Sequence, residues 1–549
     1  MRHLRINPQS SRHNPVMHDA VMHDAVMNDV TSLMPQTAFP YYAAPEAAGV
    51  SRTALESFIS GLDATGIVHS ALVARHGALV AEAYWAPYTA AMPQTCFSVA
   101  KTFTALAIGF AIADGKLAVT DRIVDILPVP DDVDISRSAV EHPAVSAQFS
   151  APPHVEANGN STPQFSVADI TVRDVLMMAT GHDKDLFHFD GRWGNPEDWA
   201  TNFFRHPVAY EPGTHFVYNT GGTYWLSAIV QHVTGLPLLE YLQVKLFEPL
   251  GITGAVMQRS PSGVDVGGFG FNLPASGLLK LGQFILNKGK WNGVQLLPAS
   301  WIEQMTSAQI SNSPDGDGDP DSDWAQGYGY QMWVTRYGAV RADGAFGQFV
   351  IIWPKFDAVI VITAASNNLK ELIQIVWDNL SDAFSEYSGF GDSAIFRHSS
   401  LPQNDGHGEP ITFTDLQLPT PQGDNHGTYT ITVNLPPVTP LDDCGYTVPP
   451  EFTAGYQNWY VNDQPLVRLE PKPELAALDT GSKVAAAFAW TATNVLEIRA
   501  VLLPTVFELT WVIELHDDGA TITVTQNVAF ADSLEIYREF FAPDQFKIT

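Results

Sequence analysis

Cysteine is nearly absent. Cys96 and Cys444 are the two in 549 residues, which excludes a disulfide framework and the C-x-x-C spacing of thiol metal or redox sites. Positive charge is scarce as well. With 29 Lys+Arg against 59 Asp+Glu the formal charge is -30, which argues against nucleic acid and anionic membrane surfaces as partners, because both are bound through cations. Long hydrophobic runs are missing. Ala105 to Ala113 and Val359 to Ala365 fall well short of the roughly 18 apolar residues of a spanning helix, so no transmembrane segment is expected. Arg2, Arg5 and Arg12 lead into Asn, Gln and Ser without an apolar h-region; no secretory signal is read, and the cytoplasm is the expected location. What is present, 45% hydrophobic and 11% aromatic residues, excludes wholesale disorder and leaves length for two to four domains.

The chain opens with a pentad repeated nearly in tandem, Val16-Met-His-Asp-Ala20, Val21-Met-His-Asp-Ala25 and Val26-Met-Asn-Asp-Val30. A period of five suits neither a helix stripe nor a strand, so residues 1–40 read as a flexible tail. From about residue 41 the pattern is globular. A helix over Ala54 to Leu62 precedes two strand-like runs around His76-Gly77, a hairpin. Ser98 to Ala113 is apolar almost all round and ends at Asp114-Gly115, which predicts a helix buried at a domain centre. Helices are predicted at Val172 to Ala179, Gly222 to Gly235, Leu238 to Leu246 and Leu278 to Asn287. A second hairpin, Gln348 to Trp353 and Val359 to Thr363, and a closing helix from Leu369 to Ser385 follow. Strands, then helices, then strands and a helix describe an α/β (α+β) fold whose sheet is interrupted by a helical insertion over 41–385. Residues 386–410 read as a linker, and 411–549 as a separate antiparallel β-domain of short β-branched and aromatic runs.

Ser98-Val-Ala-Lys101 is the S-x-x-K of the chain. Two readings stand at this point: a serine cap with a first-turn lysine, or a nucleophile with its base one turn away on the same face. A serine hydroxyl needs an adjacent base, and a lysine in apolar surroundings has its pKa lowered enough to be one.

The wider order of motifs carries a resemblance. Ser98-x-x-Lys101, then Pro212-Gly-Thr-His-Phe-Val-Tyr218-Asn-Thr-Gly221, then Asp343-Gly-Ala-Phe-Gly-Gln348 before a hairpin is similar to the serine β-lactamase and penicillin-binding-protein-like superfamily. The class C-like branch, with its family VIII carboxylesterases and 6-aminohexanoate-dimer hydrolases, is the nearest likeness. Ile170 to His182, Leu246 to Ile252 and Gly327 to Trp333 support it, and the resemblance spans about 41–385. It implies a β-lactamase/transpeptidase-like fold in which Ser98 is acylated, Lys101 is its proton partner and Tyr218 shares the acid and base work. The implied oxyanion hole is the backbone N–H of Ser98 and that of Ala345. A phenol beside an ammonium group has its phenolate favoured, so a Lys–Tyr pair is expected to shuttle the proton. No cofactor is implied.

Two departures from the family pattern bear on substrate. Tyr218-Asn219-Thr220 ends in a hydroxyl where many members have an amide, and Gly344-Ala345-Phe346-Gly347 lacks the Lys or His that pairs with a β-lactam or peptide carboxylate. Small esters or amides are therefore the expected substrates, with β-lactams or D-amino-acid peptides as the alternative. A catalytically silent ligand-binding module is the alternative of another class. Thr220, His182, Asp343, Phe346, Tyr330 and Trp333 are secondary candidates for substrate contact, and Trp193, Tyr330 and Trp333 serve equally as core. The cluster His182, Asp183, Asp185, His188 and Asp190 matches no standard metal spacing and reads as a substrate-facing loop. The acidic stretch Asp315 to Asp323 reads as a solvated loop. The β-domain leaves three roles open: shaping the site mouth, oligomerisation, or carbohydrate binding.

Overall fold

A computed structural model describes residues 45–135, 165–187, 199–313, 319 and 321–384. Beyond these it describes 411–413, 430–434, 446–447, 451–456, 459–465, 467–468, 483–503, 505–528, 534–541 and 547–548. The pentads, the 386–410 segment, Cys444, His188, Asp190, Trp193 and Asp315 lie outside the described residues.

Val68–Arg75 (β1) and Ala78–Tyr84 (β2) form the expected hairpin. Trp333–Val334 (β3), Val340–Gly344 (β4), Gln348–Trp353 (β5), Ala358–Ala364 (β6) and Ile411–Phe413 (β7) complete a seven-stranded sheet. Its spatial order is β7-β2-β1-β6-β5-β4-β3. All pairings are antiparallel except β7 with β2, which is parallel. Both faces are covered, which is why these strands read as continuous apolar runs rather than alternating ones. Leu72, Ala74, Val350, Ile352 and Val361 face one core, and Ala71, Val73, Phe349, Ile351 and Ile362 the other.

The five longest helices among the described residues lie in the two layers: Arg52–Thr65 (α1), Ala100–Ala113 (α2), Thr220–Thr234 (α3), Ala275–Leu286 (α4) and Leu369–Leu380 (α5). α1 and α5 share the core that holds Val73 and Phe349. α2, α3 and α4 share the other, larger one. α2 buries Ala100 through Ala111 without a break, so no polar face remains to meet water. Two predicted helices depart from the regular α-helix that the apolar pattern implies. Val172–Leu176 stops where Met178 adopts a left-handed backbone (φ 59°), and Leu238–Leu242 passes into a π-helical turn over Gln243–Phe247. The acidic stretch also differs from expectation at its end. Asp323 is buried, accepting hydrogen bonds from Thr335 Oγ1, Arg336 Nη2 (2.9 Å) and Trp377 Nε1 (3.0 Å), because a carboxylate that satisfies three donors is stable out of water.

The second sheet is built from Thr430–Asn434 (β8), Glu451–Tyr456 (β9), Tyr460–Pro465 (β10), Lys483–Ala492 (β11), Val495–Leu503 (β12), Glu508–His516 (β13), Gly519–Gln526 (β14), Glu535–Phe541 (β15) and Lys547–Ile548 (β16). Its order is β15-β14-β13-β12-β11-β9-β8-β16, with β10 paired to β11. Leu496, Ile498, Leu509, Trp511, Ile522 and Val524 form its own core, the period-2 burial that the sequence pattern predicts. Ala485, Val501 and Leu503 pack instead into the core shared by α1 and α5. Among the described residues no helix is long and apolar enough to cross a membrane.

Candidate active site

Ser98 does not open α2. It sits in a 3-10 turn, Phe97–Val99, that precedes the helix, and no side chain caps the turn or α2. The reason is local: Phe97 takes a left-handed conformation (φ 45°), which costs about 1–2 kcal/mol for a residue with a Cβ. The strain turns the chain sharply just before Ser98 and leaves its hydroxyl free of backbone duty. Cys96, two residues earlier, is buried and its thiol is pushed up to about 12 by desolvation, so it is no competing nucleophile at neutral pH.

Lys101, on the first turn of α2, is 1% exposed. Its Nζ lies 3.0 Å from Ser98 Oγ and donates to the carbonyl oxygen of Gly268 at 2.8 Å. Burial pulls its pKa down to about 7, against an opposing pull from the Asp185 carboxylate. Near neutral pH a good part of Lys101 is therefore the free amine, with its lone pair available to the serine hydroxyl.

Tyr218 closes the triangle. Its phenol is near enough to Ser98 for the serine to bear on its ionisation, and Lys101 Nζ stands 4.9 Å from the centre of its ring. The ring stacks on Trp333 at 5.7 Å, which fixes its plane. The phenolate expected from sequence is not what these surroundings favour. Burial raises the phenol well above its ordinary value, the neighbouring Ser98 hydroxyl lowers it less, and the Asp343 and Asp185 charges raise it further. Of the pair, Lys101 is the one whose surroundings favour the neutral, proton-accepting form, and Tyr218 the one that keeps its proton.

Asp185 was legible in the sequence only as part of an acidic loop. Its Oδ1 accepts the backbone N–H groups of Thr220 (2.7 Å) and Gly221 (3.2 Å) at the start of α3, where an anion is favoured by unpaired amides and the helix dipole. Asn219 caps the same helix, accepting from Gly222 N at 3.0 Å. Tyr218 is thus held by a doubly capped helix start. Thr220 is buried, and a Cβ at Gly268 would meet its Cγ2 at 3.0 Å, so it packs behind the carbonyl that receives Lys101.

The other wall is β4 and its turn. A Cβ at Gly344 would lie 2.4 Å from the carbonyl oxygen of Cys96, so only glycine lets this strand end press against the backbone that leads into Ser98. Ala345 and Phe346 follow, Phe346 with φ 64°, and the Phe346 ring meets the Phe97 ring edge-on at 5.2 Å. Asp343 is engaged by Arg341 Nε (3.0 Å) and Trp324 Nε1 (2.9 Å). Arg341, missed in the sequence, is fully buried between the rings of Trp324 and Trp333, 4.6 and 5.5 Å from their centres. The cation on this strand is committed to Asp343 rather than offered to a ligand.

Two candidates lie behind the site. His182 is buried and its pKa is lowered to about 4, by desolvation first and the neighbouring His206 second. Its Nδ1 is 2.9 Å from Thr180 Oγ1, which in turn accepts from Asn219 Nδ2. Tyr330 is buried in the core, its ring tilted against that of Trp301 at 5.3 Å and its hydroxyl donating to Gln304 Oε1 at 3.2 Å. Among the described residues no group of acidic, His and Cys side chains is arranged to hold a metal.

A β-lactamase family model matches residues 55–379. Over 93 residues the chain is 31% identical to lovastatin esterase of Penicillium rubens, which is 15% of this chain and 23% of that protein, so the chain spans under a quarter of the length of this curated relative. Two solved structures are similar. One is EstCE1, a hydrolase with promiscuous acyltransferase activity, at 17% identity and TM-score 0.45, over 59% of this chain and 99% of the other. The second is the octameric penicillin-binding protein homologue from Pyrococcus abyssi, at 15% identity and TM-score 0.44, over 89% of this chain and 99% of the other.

Proposed function

The chain belongs to the β-lactamase family, and from that premise we propose that it is a serine hydrolase working through an acyl-enzyme on Ser98, with small esters or amides as substrates. The observation that carries this reading is the buried Lys101 amine at 3.0 Å from Ser98 Oγ, brought to about 7 by desolvation. A pKa near the working pH is where a general base is both unprotonated and strong enough to act.

The reaction follows from these positions. The free amine of Lys101 takes the Ser98 proton as Oγ bonds to the substrate carbonyl carbon. The carbonyl oxygen becomes an oxyanion, received by the N–H groups of Ser98 and Ala345. The oxyanion collapses, breaking the bond from the carbonyl carbon to the leaving group, and the Tyr218 hydroxyl beside Ser98 gives its proton to the departing alkoxide or amine and regains one from Lys101. In the second half a water takes the leaving group's place, passes its proton along the same path, and the acyl–Oγ bond breaks to release the acid. An ester-cleaving relative fits this substrate class. So does the wall beside Ala345, where Arg341 is spent on Asp343 and no cation is free in Gly344–Gly347 to hold a β-lactam carboxylate.

The test is a side-by-side assay of short-chain p-nitrophenyl esters, aminoacyl amides and a chromogenic cephalosporin. Ester or amide turnover well above cephalosporin turnover is expected, abolished in Ser98→Ala and lowered by a factor on the order of 10²–10⁴ in Tyr218→Phe. Ester turnover that survives Ser98→Ala overturns the reading, and efficient cephalosporin turnover with esters untouched overturns the substrate class.

A further inference from the structure

The second sheet reaches the residue before Ser98. The connection between β12 and β13 places Val506 (2% exposed) and Phe507 (5%), together with Val528 after β14 (1%), in one apolar cluster with Phe346, Ala345 and Phe97. The Phe507 ring lies 6.2 Å from that of Phe346 at a steep angle, and Phe346 meets Phe97 in the same way at 5.2 Å. Three aromatic rings therefore form a row running from the C-terminal sheet to the residue immediately before Ser98.

The two inner rings belong to residues in left-handed backbone, Phe97 at φ 45° and Phe346 at φ 64°. Such conformations persist in non-glycine residues only when their surroundings hold them. Each adjoins one oxyanion donor: Phe97 precedes Ser98, and Phe346 follows Ala345. The connection that supplies Phe507 is itself anchored. Thr505 Oγ1 accepts from Phe507 N (3.0 Å), Asn527 Nδ2 donates to Val506 O (3.0 Å), and the carbonyl of Thr505 accepts from Tyr88 Oη of the first domain (2.6 Å). Tyr88 is in turn stacked on His69 at 3.9 Å.

We propose that Phe507 is a positioning residue for catalysis: through the Phe346 and Phe97 rings it fixes the backbone on either side of the oxyanion hole, so that the C-terminal β-sheet is a working part of the active site. The proposal rests on the reading of Ser98 and Ala345 as oxyanion donors. It assigns the β-domain a role in the chemistry rather than in carbohydrate binding or assembly.

The full-length enzyme tests it with a matched pair of p-nitrophenyl esters, oxo and thiono, assayed on wild type, Phe507→Ala, Phe507→Leu and Ser98→Ala. A thiocarbonyl sulfur is large and a poor hydrogen-bond acceptor, so a well-formed oxyanion hole discriminates against it and a loosened one discriminates less. In Phe507→Ala, kcat for the oxo ester is expected to fall about tenfold or more with KM within about threefold, because donors displaced by a fraction of an ångström stabilise the oxyanion less. The oxo-to-thiono preference should shrink with it, and Phe507→Leu should recover most of both. Thermal melting and circular dichroism count the folded enzyme in each sample. A wild-type kcat and a wild-type oxo-to-thiono ratio per folded Phe507→Ala molecule overturn the proposal while leaving the serine hydrolase standing. Turnover that survives Ser98→Ala overturns both. Should Phe507→Ala fail to fold, Val528→Ala is read by the same two criteria.

Discussion

At the scale of single residues the chemistry turns on how far a lysine is removed from water. Lys101 has an ordinary pKa of 10.5 and is held at about 7 by burial, a difference worth about 5 kcal/mol at ~1.4 kcal/mol per unit. The folded state binds the proton less tightly than the unfolded chain, so the buried ammonium weighs on stability at low pH. That weight is full below about pH 7 and is relieved as pH rises from 7 toward 10.5, the window in which the unfolded chain is protonated and the native one is not. Lys101→Met, nearly isosteric and uncharged, is therefore expected to abolish turnover yet to gain most stability over wild type at or below pH 7. The gain should shrink by about 1.4 kcal/mol per pH unit above it. Denaturant melts at pH 6, 7, 8 and 9 measure this, and a gain that does not vary with pH would mean that Lys101 titrates normally. With the free amine as the acylation base proposed above, the same ionisation should appear in wild type as a rise of kcat/KM through pH 7.

Among the elements, α2 and β4 do the positioning, and one glycine decides how closely they meet. Gly344→Ala would place a methyl 2.4 Å from the Cys96 carbonyl, a backbone atom that cannot rotate aside. The strand end must then retreat from the Ser98 turn. A stability loss of about 1–3 kcal/mol is expected, with kcat lowered on the order of 10² because Ala345 moves with the strand; wild-type kcat in Gly344→Ala would mean that the contact is slack. The two hairpins, β1–β2 and β5–β6, were legible because turn residues separate β-branched runs, a signal contained in about fifteen neighbouring residues. Ser98, Lys101 and Tyr218 were legible through the order of their motifs, not through their own spacing. The 3-10 start of α2 was not, because apolar periodicity continues through Ser98 and only the positive φ of Phe97 interrupts it. Asp185 on α3, Arg341 with Asp343, and β7 beside β2 are contacts between segments 35 to 330 residues apart or hidden within a strand. No local pattern encodes such contacts.

Across the whole molecule, charge is the property that a substrate meets first. With a formal charge of -30, the long-range field that a substrate meets on its way to Ser98 is negative. A field of that sign slows anionic substrates and concentrates cationic ones, and salt screens it over a Debye length of about 8 Å at physiological ionic strength. That field belongs to the whole chain, in which 59 Asp+Glu stand against 29 Lys+Arg. Two p-nitrophenyl esters of equal length, one ending in an ammonium group and the other in a carboxylate, separate this effect from pocket shape. At low salt, kcat/KM should favour the ammonium ester. Raising the ionic strength tenfold from about 20 mM should bring the two values together, the carboxylate ester gaining and the ammonium ester losing, while kcat for each stays nearly constant because screening acts on encounter. A ratio that does not move with salt would mean that selection is made entirely inside the pocket, by Asp343 and the rings around it, and that the acidity of the chain serves solubility alone.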